Sequence, residues 1–283
     1  MKRFLFTSLL FIFCCSALHG QQNMRVNYAF LYKRDLSEKN FRTQMDMMLD
    51  FSMDGAVFYS EASYLRDSLA VLAFDEAGNT KDEEQVSKIR RLNNAAFNHT
   101  YHIDFSNMRY DVYNKLIHHV FLGENGVLEM PEWTISEESS VFNGYHVRKA
   151  TGHYMGRDWI VWFTEEIPVP AGPWLLWGCP GLIVKADDTD GLFDFYILGE
   201  EEVSSNRWSG LKDRYTDSQS LVQHLSVREE ESIKCRIERD WDYKLQLMGG
   251  VSGTLRDRGG NVIKMENARK FTPLIPDSYW KRK

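Results

Sequence analysis

Apolar residues recur at every second position in several separate stretches of this 283-residue chain. Val26, Tyr28, Phe30 and Tyr32 share one face of an extended segment, with mostly small or polar residues between them. Met45, Met47, Leu49, Phe51 and Met53 repeat the pattern and run into Asp54-Gly55, a turn dipeptide. Tyr101, Ile103 and Phe105 follow it, as do Trp159, Val161 and Phe163. A period of two is the signature of a half-buried strand, because successive side chains point to opposite faces. Gly156-Arg157-Asp158 reads as the turn of a hairpin whose first arm is 145–154, and Asp190-Gly191 leads into a strand over 192–198. Many short strands separated by turns predict antiparallel sheet rather than βαβ units.

Three segments carry the helical period instead. Residues 60–74 place Leu65, Leu69 and Leu72 on one stripe, and Thr80 with Glu83 forms a capping box ahead of a polar helix to about Phe97. The strongest begins at the capping pair Ser226 and Glu229. It repeats Ile233, Ile237, Trp241, Leu245 and Met248, and ends at Gly249-Gly250. With a shorter helix over 217–225, this gives a C-terminal helical region, 217–248. The tail, 254–283, reads as partly disordered. The expected class is α+β: a curved, mainly antiparallel sheet, open-barrel-like, with the C-terminal amphipathic helix packed on it.

The first twenty residues change the picture of where the chain acts. Lys2 and Arg3 precede an apolar run, Phe4 to Cys15, that is too short to span a bilayer and suits a signal-peptide core. Cleavage is expected after Gly20, which leaves residues 21–283 as a single domain, soluble after processing, with no transmembrane span. Losing Lys2 and Arg3 leaves 32 basic residues against 40 acidic, a net charge of −8. An acidic chain without a basic stripe argues against nucleic acid as the partner. Only Cys179 and Cys235 would remain, either as a disulfide in an oxidising compartment or as two buried free thiols.

The densest punctuation lies over 167–198, where Pro168, Pro170, Gly172, Pro173, Gly178, Pro180 and Gly181 surround Trp174, Trp177 and Cys179 before an apolar strand. Proline fixes φ and glycine permits turns other residues resist, so the loop is rigid. Gly144-Tyr145, Lys149-Ala150, Gly156-Arg157, Trp159, Trp162, Ile167-Pro168, Gly172-Pro173-Trp174 and Gly178-Cys179-Pro180-Gly181-Leu182-Ile183 together resemble the GLPGLI family. The resemblance is specific over 133–198. Cys179 stands where the family motif has Leu, and Val147 where many members have Cys, so no cysteine role carries over to Val147. The resemblance implies an exported envelope protein of a Gram-negative bacterium, periplasmic or outer-membrane-associated, of unassigned activity.

Chemistry-bearing patterns are sparse. There is no nucleophile elbow, phosphate loop or zinc-hydrolase spacing, and no cofactor or metal is expected. Aligned as a calcium loop, Asp187-Asp188-Thr189-Asp190-Gly191 has Ala186 first and Ile197 twelfth, which fails the ligand test. Trp174 and Trp177 either plug the open end of the sheet or, with Arg157, form a surface for a small apolar ligand, peptide or envelope partner. Gly172, Pro173, Gly178, Cys179, Pro180 and Gly181 are the structural motif. The expected function is therefore non-enzymatic binding. The rivals are a hydrolase using carboxylates or His146 and His153, and envelope metal handling through Met48 and the histidines.

Overall fold

The computed structural model describes residues 23–33, 43–74, 80–92, 99–116, 119–123, 126–205, 207 and 223–225. Within them, thirteen strands form one sheet accompanied by two helices, an α+β arrangement. The first run is β1 (Asn23–Tyr32), β2 (Thr43–Phe51), β3 (Gly55–Ser60), α1 (Glu61–Ala73), α2 (Glu83–Leu92), β4 (His99–Asp104), β5 (Arg109–Leu116) and β6 (His119–Gly123). The second is β7 (Gly126–Val127), β8 (Thr134–Phe142), β9 (Tyr145–Tyr154), β10 (Arg157–Thr164), β11 (Leu182–Asp188), β12 (Phe193–Val203) and β13 (Gln223–Leu225).

The sheet order is β13-β6-β5-β4-β3-β2-β1-β12-β11-β10-β9-β8, with β7 beside β5. Two antiparallel meanders are thus joined through the pairing of β1 with β12. Among the described strands only β13 runs parallel to its neighbour. Phe58 of β3 and Phe195 of β12 lie three strands apart in that order, about 14 Å on a flat sheet. Their ring centroids are 6.1 Å apart, so the sheet curls until its inner faces meet. That inner face carries the alternating residues: Val26, Tyr28, Phe30, Met45, Met47, Leu49, Phe51, Trp159, Val161, Phe163, Phe193 and Phe195. The curl stays open, because β8 and β13 end the order unpaired with each other.

The β8 edge is blunted. Ile135 pairs with Ala150 and Ser139 with Arg148, so four steps on β8 oppose two on β9 and the strand bulges at Glu137 and Glu138. An interrupted, charged edge resists pairing with another strand.

Several local expectations are corrected. Arg157 is not in a turn: Met155 and Gly156, both at positive φ, make it, and Arg157 starts β10. Gln223–Leu225, expected as helix, is a strand beside Phe121–Gly123. Asp82 rather than Thr80 caps α2, its Oδ1 accepting the Glu84 and Gln85 amides at 2.9 and 3.2 Å. Met53 lies past the end of β2 in the turn and is 65% exposed, off the core face its spacing suggested. Helix α1, capped by Ser60, reverses its expected polarity. It buries Ser63, Arg66, Asp67 and Ala73 and turns Leu65 and Leu72 outward. The C-terminal stripe Ile233 to Met248, Cys235 and the tail lie outside the described residues, and no described helix is long and apolar enough to cross a membrane.

Candidate functional site

The loop 165–181 leaves β10 at Thr164 and returns at Leu182, its partner in the ladder. Between them the chain dips into the curl and turns on itself. Gly178 and Leu182 donate backbone hydrogen bonds to Pro170 and Ile167, and Ile183 donates to Ala171. Gly178 needs its φ of 86°. Gly181 lies so close to Thr164 that a Cβ would fall 1.9 Å from its carbonyl oxygen, and at Gly172 a Cβ would fall 2.7 Å from the Leu176 oxygen. The glycines of the motif are therefore demanded by backbone packing.

Trp174 and Trp177 are inside the structure. Trp174 is fully buried between Trp159, 5.9 Å away, and Tyr101, 6.4 Å away and edge-on. It holds a left-handed φ of 57°, and its indole N–H has no hydrogen-bond partner among the described residues. Trp177 lies nearer the surface. It stacks on Phe105 at 5.7 Å and donates from Nε1 to the Glu129 carbonyl at 3.0 Å, while Trp133 Nε1 donates to the Trp177 carbonyl at 2.7 Å. The two indoles clamp the loop to residues 129–133.

Arg157 lies at the opposite end of the sheet and also points inward. Its Nη1 donates to Asp188 Oδ2 at 3.1 Å, and its guanidinium lies 4.6 Å from the Phe193 ring centroid. Asp188 Oδ1 accepts the Leu192 and Phe193 amides at 2.6 and 3.0 Å. Burial pulls the Arg157 guanidinium below its ordinary pKa, opposed by Asp188 and Asp190. The pair ties the β9–β10 turn to the β11–β12 turn, and it shares no surface with Trp177.

Around Trp177 the structure gathers what sequence spacing did not. Phe105 N donates to the Asp54 carbonyl at 3.1 Å, and Leu128 N to the Met108 carbonyl at 2.9 Å. Met130 packs beside Gly178. The β2–β3 turn, the β4–β5 turn and residues 127–133 therefore meet at one end of the curl. On these segments Met53, Val127 and Met130 are 65, 63 and 60% exposed, and Phe105, Met108 and Trp133 are half-buried. Soft, adaptable methionines over aromatic rings are a common composition for recognition surfaces.

The histidines make separate contacts. His146 Nδ1 and backbone N meet Glu166 at 3.0 and 2.9 Å, bonds that lower the Glu166 pKa, and His153 Nδ1 meets Asp158 at 2.7 Å. Seven residues of β9 part the two rings by about 24 Å, so they form no joint site. Met45 and Met47 are core, and Met48 is buried on the other face with Val57, Tyr59 and Tyr113. Among the described residues no three His, Cys, Asp or Glu side chains cluster as metal ligands do.

A second polar knot lies on the outer face. Arg25 grips Asp50 with Nε at 2.7 Å and Nη2 at 2.9 Å, and Asp50 also accepts from Tyr59 Oη at 3.2 Å and the Arg207 amide at 3.1 Å. Arg207 Nη1 donates to both Glu61 oxygens, and its guanidinium covers Tyr64. Burial first, then Asp50, raises the Tyr59 pKa. Every oxygen of Asp50 is engaged, so this is an anchor for the chain after β12.

Cys179 is buried and free. Burial pushes its thiol up to about 12. Thiol reagents are expected to leave it unmodified in the native protein and to label it after unfolding, as intact mass would show. The unfolded thiol ionises near 9.0 and the folded one resists until about 12, so Cys179 favours unfolding as pH rises across that window. Rapid native labelling at neutral pH would contradict this placement.

No family model and no curated protein matches the chain. Two solved structures of PNGF-II, in C2 and P21 crystals, are similar to it with TM-scores of 0.49 and 0.48 at 14% identity. Each match covers 75% of this chain and 32% of the other, so the chain spans about a third of the length of those proteins.

Proposed function

We propose that this is an exported envelope protein of the GLPGLI type that acts by binding, without catalysis of its own. The observation behind the reading is that exposed Met53, Val127 and Met130 sit on segments that meet near the stacked Phe105 and Trp177. Exposed large apolar side chains on neighbouring segments invite contact with a second apolar surface. Trp177 serves as the fixed floor of that surface, since both its ring and its carbonyl are held. Trp174 and Arg157 are assigned to holding the fold.

The hydrolase reading has less to stand on, because His146 and His153 each face their own exposed carboxylate at different ends of β9. The C-terminal segment, 226–248, remains proposed as an amphipathic helix that covers an apolar face. The outward Leu65 and Leu72 of α1, beside the Arg207 anchor on Glu61, offer one.

The test uses an environment-sensitive apolar dye. The double variant Met53→Ser, Met130→Ser is expected to lose most of the dye binding seen with the parent. Its stability should change by about 0.5 kcal/mol or less, because both side chains are largely exposed. Undiminished dye binding by the folded variant would remove these residues as the site.

A further inference from the structure

Cleavage after Gly20 would give the mature chain an N-terminal glutamine, Gln21. The side chain of a terminal glutamine reaches its own α-amine in an unstrained ring. The α-nitrogen attacks the side-chain amide carbon, the Cδ–Nε2 bond breaks, and ammonia leaves with a proton from the α-amine. The product is a five-membered lactam, and the terminal charge is lost. No oxidant or second substrate is consumed. Cleavage after Ala17 would instead expose Leu18, which has no such chemistry.

The position of β1 gives that closure a purpose. β1 begins at Asn23, so only Gln22 stands between Gln21 and the strand. β1 lies inside the sheet and joins its two meanders. Asn23 pairs with Val203 of β12, and Met24 pairs with Glu202 on one side and with Phe51 of β2 on the other. Arg25, next in line, is buried and holds Asp50 at 2.7 Å and Glu201 at 3.1 Å. An enzyme that removes residues singly from a free α-amine would soon reach these pairings. Losing Arg25 would leave Asp50 buried without that cation, a costly state. A lactam offers no α-amine for such an enzyme to engage.

Taking the export reading above with its cleavage site, we infer that Gln21 is converted to pyroglutamate in the mature protein and that this cap protects β1 from stepwise trimming. The closure follows export, because the α-amine of Gln21 exists only once the signal segment has been removed.

The test expresses the full precursor in a Gram-negative host and measures the exported protein by intact mass and N-terminal peptide sequencing. The expected chain starts at Gln21 and is lighter than its open form by one ammonia, about 17 Da. Gln21→Glu is expected to stay open, since its carboxylate has no leaving group comparable to ammonia, and Gln21→Ala cannot close at all. A purified aminopeptidase should remove residues from both variants and leave the parent intact.

A mature parent that starts at Gln21 with an open amine would overturn the inference and leave export and its cleavage site in place. A start at Leu18 or elsewhere would overturn it together with the cleavage site. A precursor that stays uncut in the cytoplasm would overturn the export reading as well. Equal resistance of open and capped chains to the aminopeptidase would overturn the protective role.

Discussion

Gly181→Ala is expected to lower stability by about 3 kcal/mol or more, enough to unfold a marginal domain. The added Cβ would stand 1.9 Å from the Thr164 oxygen and 2.7 Å from its carbonyl carbon. Both atoms are backbone, and Thr164 is fixed in β10 by its pairing with Leu182. No side-chain rotation can relieve the collision, so either the ladder opens or the loop leaves the core with Trp174 and Leu175. Gly172→Ala should follow with a smaller loss, since one of its contacts is the Ile183 side chain at 2.9 Å. Gly199→Ala is the control, because a Cβ there meets nothing within 4 Å. Denaturant melts of the three variants should rank 181, 172, 199 from worst to best. A Gly181→Ala protein melting with the parent would mean that the loop does not close on Thr164 as described.

The strands that face the curl were legible because burial on one face imposes a period of two. β1, β2, β4 and β10 therefore stood out from Val26, Met45, Tyr101 and Trp159 onward, and β12 was announced by the Asp190-Gly191 turn before it. β8 did not, since Thr134 to Phe142 is mostly exposed on both sides and carries no such alternation. Helix α1 was found by its leucines, yet its buried side is polar: Arg66 and Asp67 satisfy each other at 2.9 Å. A stripe of leucines shows that a helix forms, and which way it faces depends on what else is buried. The punctuated loop was recognised as rigid from its prolines and glycines, but depth is a tertiary property. Nothing in the local sequence separates Trp174, enclosed between Trp159 and Tyr101, from an exposed tryptophan. The candidate surface was invisible for a related reason. Met53, Phe105 and Met130 are each unremarkable in sequence, and their segments come to one end only because the sheet curls.

Arg157 gives the second large effect. Replacing it with alanine is expected to cost about 3–5 kcal/mol, because Asp188 would keep its charge inside the core without its cation. The Asp188 side chain is nearly inaccessible, and its other oxygen is already committed to the Leu192 and Phe193 amides. Asp190 is no replacement partner for the carboxylate, being an anion itself 3.8 Å from the same guanidinium. Asp188→Ala should be as damaging, since it strands the guanidinium against Phe193 and also frees two backbone amides. Arg157→Met with Asp188→Asn separates charge from shape. Methionine refills much of the volume, while asparagine keeps one acceptor for the two amides and removes the buried charge. That pair of changes should recover a large part of what either alanine variant loses, as buried ion pairs often exchange with neutral groups at little net cost. Melting measurements on the two alanine variants and the double variant decide the matter. If Arg157→Ala melts within about 1 kcal/mol of the parent, the guanidinium is held too loosely to be structural, and a role for Arg157 in contacting a partner would be restored.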